Sequence, residues 1–274
     1  MAIKLVLLDL DGTLLNSDKL IPPENYAALE RAYKAGVHIV PCTGRFFDGM
    51  PQVVRDLPFF RYAITVNGAQ IYDRETDTVL HRCEISPDDA QRIYARLETM
   101  PVIYDCFMDG WGYMDRKNYD RIDEFIPIPW MSQMVKDLRK PVDDFRSFMR
   151  AQNKGVQKIQ MFFRDQDERK ACWDELIRLF PEMAVTSALV NNVEINAKNA
   201  NKGEALRVLC RHLGLEIRES MAFGDGNNDL SMIRAAGLGV AMGNAAEELK
   251  AAAGYITDTN DNAGVAKAME KFVF

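Results

Sequence analysis

Apolar runs recur along the first eighty residues, at Lys4–Leu8, Val37–Cys42 and Tyr62–Val66. Each has the length of a buried strand. Between them, Glu24–Lys34 and Phe46–Asp56 carry apolar positions at helical spacing. Strand and helix in alternation predict a parallel sheet covered on both faces. Pro22-Pro23 suits the start of the first helix and Gly36 its stop.

The texture changes near Arg82. Ser86-Pro87-Asp88-Asp89 opens an amphipathic helix running to about Thr99, and Pro101 to Lys140 is less regular, interrupted by Pro127 and Pro129. A helix near Asp143–Arg150, a half-exposed strand in Gly155–Phe163, a helix at Asp167–Phe180 and short strands at Val185 and Val193–Ile195 follow. Strands and helices in separate runs predict an α+β unit with an antiparallel sheet. After Asn196 the alternation resumes: helix Gly203–Leu213, strand Ser220–Phe223, helix Asp229–Ala236 and strand Leu238–Ala241. A helix from Ala245, a strand at Tyr255–Ile256 and a helix near Ala263–Phe272 complete it. The simplest parse is an α/β parallel-sheet core, residues 1–81 and 197–274, with an α+β domain, 82–196, inserted into it.

Composition narrows the partners. Among 274 residues, 40 Asp and Glu against 34 Lys and Arg give a net charge of −6, which argues against a nucleic-acid footprint. Ile3–Leu8 is too short for a signal peptide or membrane span. The five cysteines, Cys42, Cys83, Cys106, Cys172 and Cys210, are odd in number and lack CxxC spacing. They read as reduced structural thiols of a cytoplasmic protein, Cys42 alone lying beside candidate chemistry.

Ligands of open parallel sheets collect at the carboxyl ends of the strands. The first strand delivers Asp9 and Asp11, which point the same way if the strand stays extended. The second delivers Thr43-Gly44-Arg45, the third Asn67-Gly68, and "SMAF" delivers Gly224-Asp225-Gly226-Asn227-Asn228-Asp229. Carboxylates converging there repel by about 4 kcal/mol per pair at ~4 Å and an effective dielectric near 20. A divalent cation removes that cost, and aspartates without His or Cys neighbours favour a hard one, Mg²⁺ first. Lys202 stands at the start of a helix, where a cation is disfavoured unless an anion is held there. Taken singly, each piece has a plainer reading as a turn, an Asx-rich loop or a solvated lysine.

Together and in this order, "DLDGTL" (9–14), "CTGR" (42–45), "NKGEAL" (201–206) and "GDGNNDLSMI" (224–233) resemble the four motifs of haloacid-dehalogenase (HAD) superfamily phosphatases. "VNGAQIYD" (66–73) and "TDTNDNAGVAKAME" (257–270) resemble its Cof-type, sugar-phosphatase-like branch, in which a cap is inserted between the second and third motifs. The resemblance implies a Rossmann-like HAD core and Mg²⁺-dependent hydrolysis of a small phosphorylated metabolite, a sugar phosphate first. It implies Asp9 as nucleophile, forming an aspartyl-phosphate, and Asp11 as general acid and base. It implies Mg²⁺ held by the Asp9 carboxylate, the Asp11 carbonyl and Asp225. Thr43, the Gly44 amide, Lys202 and Asn228 would grip the phosphoryl oxygens, helped by the Leu10 amide. Asp229 would orient Lys202 or the metal shell, while Arg45 either binds or braces the loop. The cap would select substrate. Trp111, Tyr113 and Trp130 would either stack on it or pack the cap's own core, and Asn67 and Gly68 would either face substrate or form a turn. A phosphomutase on the same core, a receiver-like phosphoacceptor and a silent binding protein are the alternatives.

Overall fold

Leu5 to Leu8 have no exposed surface on either side of the strand they form. Four consecutive buried side chains are tolerated only where a sheet is covered on both faces. The structure, a computed structural model, describes residues 2–187 and 189–274. These fall into two compact units, Met1–Arg82 with Asn201–Phe274, and Cys83–Ala200.

The first unit is α/β. Its parallel sheet has the order Tyr255–Ile256, Leu238–Ala241, Ser220–Gly224, Leu5–Leu8, His38–Pro41. Leu8 lies opposite both Phe223 and Pro41. The residues that follow these strands, Asp9, Thr43 and Asp225, therefore leave the sheet at one edge. Tyr62–Thr65 extends this layer through a parallel bridge between Cys42 and Ile64, then turns into an antiparallel ladder with Gln70–Asp73 and Thr78–Arg82. Helices Pro23–Lys34, Lys202–Leu213 and Gly264–Phe272 bury Leu29, Leu206, Leu209, Val265 and Met269 in the same core as the sheet.

The second unit carries a six-stranded sheet in the order Met183–Thr186, Asn192–Ala197, Lys158–Phe162, Ile103–Met108, Trp111–Asp115, Arg139–Val142. It is antiparallel except for the last pair. Helices Pro87–Leu97, Phe145–Gln152 and Gln166–Leu179 share a core with Tyr104, Cys106, Ile159, Met161, Val193 and Ile195. Alternate residues of the same strands, Asp105, Lys158, Gln160 and Glu194, are buried and polar.

Three stretches differ from the sequence expectation. Phe46–Asp56 is not one helix: a 3₁₀ turn, Phe47–Gly49, and a short helix, Gln52–Arg55, are separated at Pro51, whose predecessor is pushed into extended backbone. Pro101–Lys140 is regular after all, with two strands and the helix Pro129–Asp137. Pro129 sits at the start of that helix, where the missing N–H costs nothing, and Pro127 lies in the connection before it. Lys158–Phe162 is not half-exposed but buried throughout, and its Lys158 ammonium pairs with Glu194 of the neighbouring strand. Among the described residues, no helix is long and apolar enough to cross a membrane.

Candidate active site

The chain turns sharply after Leu5–Leu8. The Leu10 carbonyl accepts hydrogen bonds from the amides of Thr13 (3.3 Å) and Leu15 (2.9 Å), so the strand does not stay extended through Asp11. Gly12, with φ of +85°, makes the turn, and a Cβ there would sit 2.4 Å from Asp225 Oδ2. Leu10 is buried between two aspartates that consequently part company.

Asp9 stays at the sheet edge and is nearly buried. Its Oδ1 accepts a hydrogen bond from Lys202 Nζ at 2.6 Å. Lys202 is the first residue of helix Lys202–Leu213, capped by Asn201, whose side chain accepts from the Glu204 amide at 2.9 Å. The lysine is 0% exposed and also donates to Asp229 Oδ1 at 2.5 Å. The two carboxylates supply the negative charge that a cation at a helix start requires. Burial pushes the Lys202 ammonium down, but Asp229 and Asp9 outweigh it and hold it firmly charged. Asp9 moves the other way: burial and the Asp229 charge push its carboxyl well up, against the pull of Lys202.

Asp225 follows the strand Ser220–Gly224, and its Oδ1 accepts from Thr13 Oγ1 at 2.8 Å. Burial, with the charge of Asp229 adding to it and Thr13 opposing, raises its carboxyl to about 6. Oxygens of Asp9, Asp225 and Asp229 lie within 4.8 Å of one another. Asp229 is engaged on both sides, since its other oxygen accepts from the amides of Asp225 and Gly226 at 3.0 Å each. It fixes the loop and Lys202, leaving Asp9 and Asp225 as the better placed metal donors. An all-carboxylate group without His or Cys fits a hard divalent cation.

Asp11 stands apart from that group. Its carboxylate accepts from Arg45 Nε at 2.8 Å and Nη2 at 3.2 Å, and from Lys19 Nζ at 2.9 Å. Burial opposes its ionisation, yet these cations hold its carboxyl below the usual range. Arg45 also donates to the Gly49 carbonyl at 3.1 Å, so it braces the loop and pairs with Asp11 at once. Thr43 is buried; its amide donates to Ile64 (2.9 Å) and its Oγ1 accepts from the Arg45 amide (3.2 Å). Asn228 donates to Asn67 Oδ1 at 3.2 Å, and a Cβ on Gly44 would come within 2.9 Å of the same oxygen. Cys42 is fully buried, and burial raises its thiol far above the ordinary range.

Sequence reasoning passed over Thr13, Lys19 and Asn244. Asn244 donates to the Gly12 carbonyl at 2.8 Å and accepts from the Asn260 amide at 3.0 Å, pinning the turn. A hydroxyl four residues after Asp9 was the available signal for Thr13; the other two are joined only by the fold. In the second unit, Trp130 is 64% exposed, Tyr113 packs against Phe148 (ring centroids 5.3 Å apart), and Lys140 Nζ covers Trp111 at 4.1 Å. The same ammonium lies 6.0 Å from the Tyr113 ring.

Known proteins share this arrangement of sheet and loops. Residues 6–269 match the family of haloacid dehalogenase-like hydrolases. The 5-amino-6-(5-phospho-D-ribitylamino)uracil phosphatase YcsE of Bacillus subtilis is 32% identical over 271 residues, 99% of this chain and 96% of that protein. A solved haloacid dehalogenase-like hydrolase from B. subtilis has a TM-score of 0.85 at 30% identity, covering 99% of this chain and 100% of the other. The structure of the HAD subclass IIB sugar phosphatase BT4131 gives 0.80 at 28% identity, with 98% of each chain covered. The chain belongs to the haloacid dehalogenase-like hydrolase family. Within that family it is a phosphatase of the Cof-type branch.

Proposed function

We propose that this phosphatase hydrolyses a small phosphomonoester, a sugar or polyol phosphate first, with Mg²⁺ as cofactor and an aspartyl-phosphate on Asp9. The carrying observation is the buried Lys202 held between Asp9 and Asp229 beside Asp225. The substrate class leans on the relatives: one is named for a phosphoribityl-substituted uracil and another is a sugar phosphatase.

The Asp9 carboxylate attacks phosphorus, the P–O bond to the alcohol breaks, and Asp11 gives its proton to the departing oxygen. In the second displacement Asp11 takes a proton from water, the water oxygen bonds to phosphorus, and Asp9 leaves with inorganic phosphate released. Arg45 and Lys19 favour the ionised Asp11 of that second step, so its work as an acid in the first requires those contacts to loosen. Thr43 Oγ1, the Leu10 and Gly44 amides, the Asn228 carboxamide and Lys202 Nζ donate to the phosphoryl oxygens, where charge builds in transfer. Asp9, the Asp11 carbonyl and Asp225 would hold Mg²⁺, which when bound neutralises carboxylate and phosphoryl charge. Asp229 orients Lys202. Residues 1–81 and 197–274 act as the catalytic core and the inserted residues 82–196 as the cap that selects the leaving group. A cytoplasmic setting, with no nucleic-acid or membrane partner, goes with the acidic balance and scattered thiols.

The first test is phosphate release from an aryl phosphate with Mg²⁺, wild type against Asp9→Asn. Turnover in the wild type and its loss in Asp9→Asn support the reading; no turnover, or turnover surviving the substitution, refutes it. A phosphate-shifted isomer as product would assign a mutase instead, and a long-lived phosphoprotein a receiver. A panel of metabolite phosphates then ranks the substrates.

A further inference from the structure

Val66, Asn67 and Gly68 all have left-handed backbones, with φ of 49°, 56° and 98°. Gly68 belongs there, and a Cβ on it would lie 2.3 Å from the Asn201 carbonyl. Val66 does not: a β-branched residue in this region is an outlier, and such outliers persist only where the surroundings enforce them. Hydrogen bonds from the Val66 amide to the Arg45 carbonyl (2.9 Å) and from the Asn67 amide to the Thr43 carbonyl (3.0 Å) do so. The turn is thereby pressed against Thr43–Arg45 on one side and Asn201–Lys202 on another.

The Asn67 side chain adds the remaining loop. It is 7% exposed, its Oδ1 accepts from Asn228 Nδ2 at 3.2 Å, and the same oxygen lies against Gly44. A residue needed only for the left-handed turn would be served at no steric cost by glycine. A residue whose side-chain oxygen accepts from Asn228 while its backbone N–H donates to Thr43 has a second task.

We propose that Asn67 is a positioning residue for the phosphoryl group, its carboxamide locking Asn228 to the Thr43–Gly44 loop so that both grip as one unit. The inference rests on the phosphatase reading above. A rigid pair of donors binds phosphate without first losing side-chain freedom.

Asn67→Gly keeps the left-handed turn and removes the carboxamide; Asn67→Asp keeps the acceptor oxygen. With the aryl phosphate and Mg²⁺, Asn67→Gly is expected to raise KM, and the inhibition constant of inorganic phosphate, by about 10-fold, the loss of one well-placed hydrogen bond. Its kcat should stay within a few-fold and its thermal midpoint near the wild type. Asn67→Asp should recover much of the loss at low phosphate charge, that is, in acidic buffer. In a cycle with Asn228→Ala, the double variant should be no worse than Asn228→Ala alone. Wild-type KM and phosphate inhibition in Asn67→Gly, or multiplicative effects in the cycle, would overturn the assignment. An inactive wild type would instead sink the phosphatase reading, so the two failures are told apart.

Discussion

Each unit buries a cluster of charges, and the two clusters differ in their balance. In the inserted unit, Arg139 Nε donates to Asp105 Oδ2 at 2.7 Å and Lys158 Nζ donates to Glu194 Oε1 at 2.9 Å. The Phe107 ring lies 4.5 Å from both cations. Two acids meet two bases, all on strands of one sheet. In the core, one ammonium faces Asp9, Asp225 and Asp229, on strand ends and loops. Burial raises Asp105, Asp9 and Asp225 alike, but only Asp105 has a base of its own. The balanced cluster carries no net charge, although Asp105 Oδ1 is left without a hydrogen bond, and replacing such a cluster by apolar groups is often neutral for stability. A buried surplus of negative charge has no such internal solution, and a divalent cation is the partner of matching charge.

Swapping whole pairs tests the contrast most strongly. Lys202→Met with Asp229→Leu should lower turnover by at least about 10³-fold, since groups acting as a unit fail together. Lys158→Met with Glu194→Leu should leave kcat within a few-fold and shift unfolding free energy by about 1–4 kcal/mol at most, upward or not at all. Loss of kcat in the second swap, by steady-state kinetics, would make the cap cluster part of the chemistry.

Next in size is the metal. Saturation with Mg²⁺ at 100 times its Kd should stabilise the wild type by about 2.7 kcal/mol, read as a rise in thermal midpoint that chelation reverses. Asp225→Asn should lose this increment and Asp105→Asn should keep it. Thr13→Val removes the hydroxyl on Asp225 and should weaken Mg²⁺ by about 10-fold, the lower end for a supporting partner; calorimetry decides.

The smallest effect is on pH. With Asp225 held near 6, above an ordinary carboxylate, the metal-free fold prefers it protonated. The Asp225 contribution to metal-free stability should therefore be lost as pH rises from about 4 to about 6. Mg²⁺ must displace that proton, so its affinity should fall as pH drops through about 6. A flat titration in both would remove Asp225 from the metal site.

The hydrophobic pattern made the core legible because parallel strands buried on both faces read as unbroken apolar runs, as at Leu5–Leu8. It failed in the insert, where Lys158–Phe162 alternates like a surface strand although its polar residues are buried among partners from other strands. No local pattern encodes a partner thirty-six residues away. The acidic loops were legible through their order along the chain. The pairing of Asp11 away from Asp9 was not, because the turn at Gly12 parts the two and Arg45 and Lys19 reach Asp11 only in the fold. Asp229 likewise shows its double engagement only once Lys202 is in place.

The register that sets Leu8 between Pro41 and Phe223 also governs when the sheet exists. One neighbour of the central strand is translated within moments; the other comes some two hundred residues later, after the entire inserted unit. Until then an apolar strand has one bare edge, the kind of intermediate that aggregates or recruits a chaperone. Its last neighbour must close a long loop, which slows folding. Pairing of the central strand and arrival of Asp225 and Asp229 at its end are thus one event, and a chain released before Ser220–Gly224 is made leaves the ribosome with an exposed edge and without those two carboxylates.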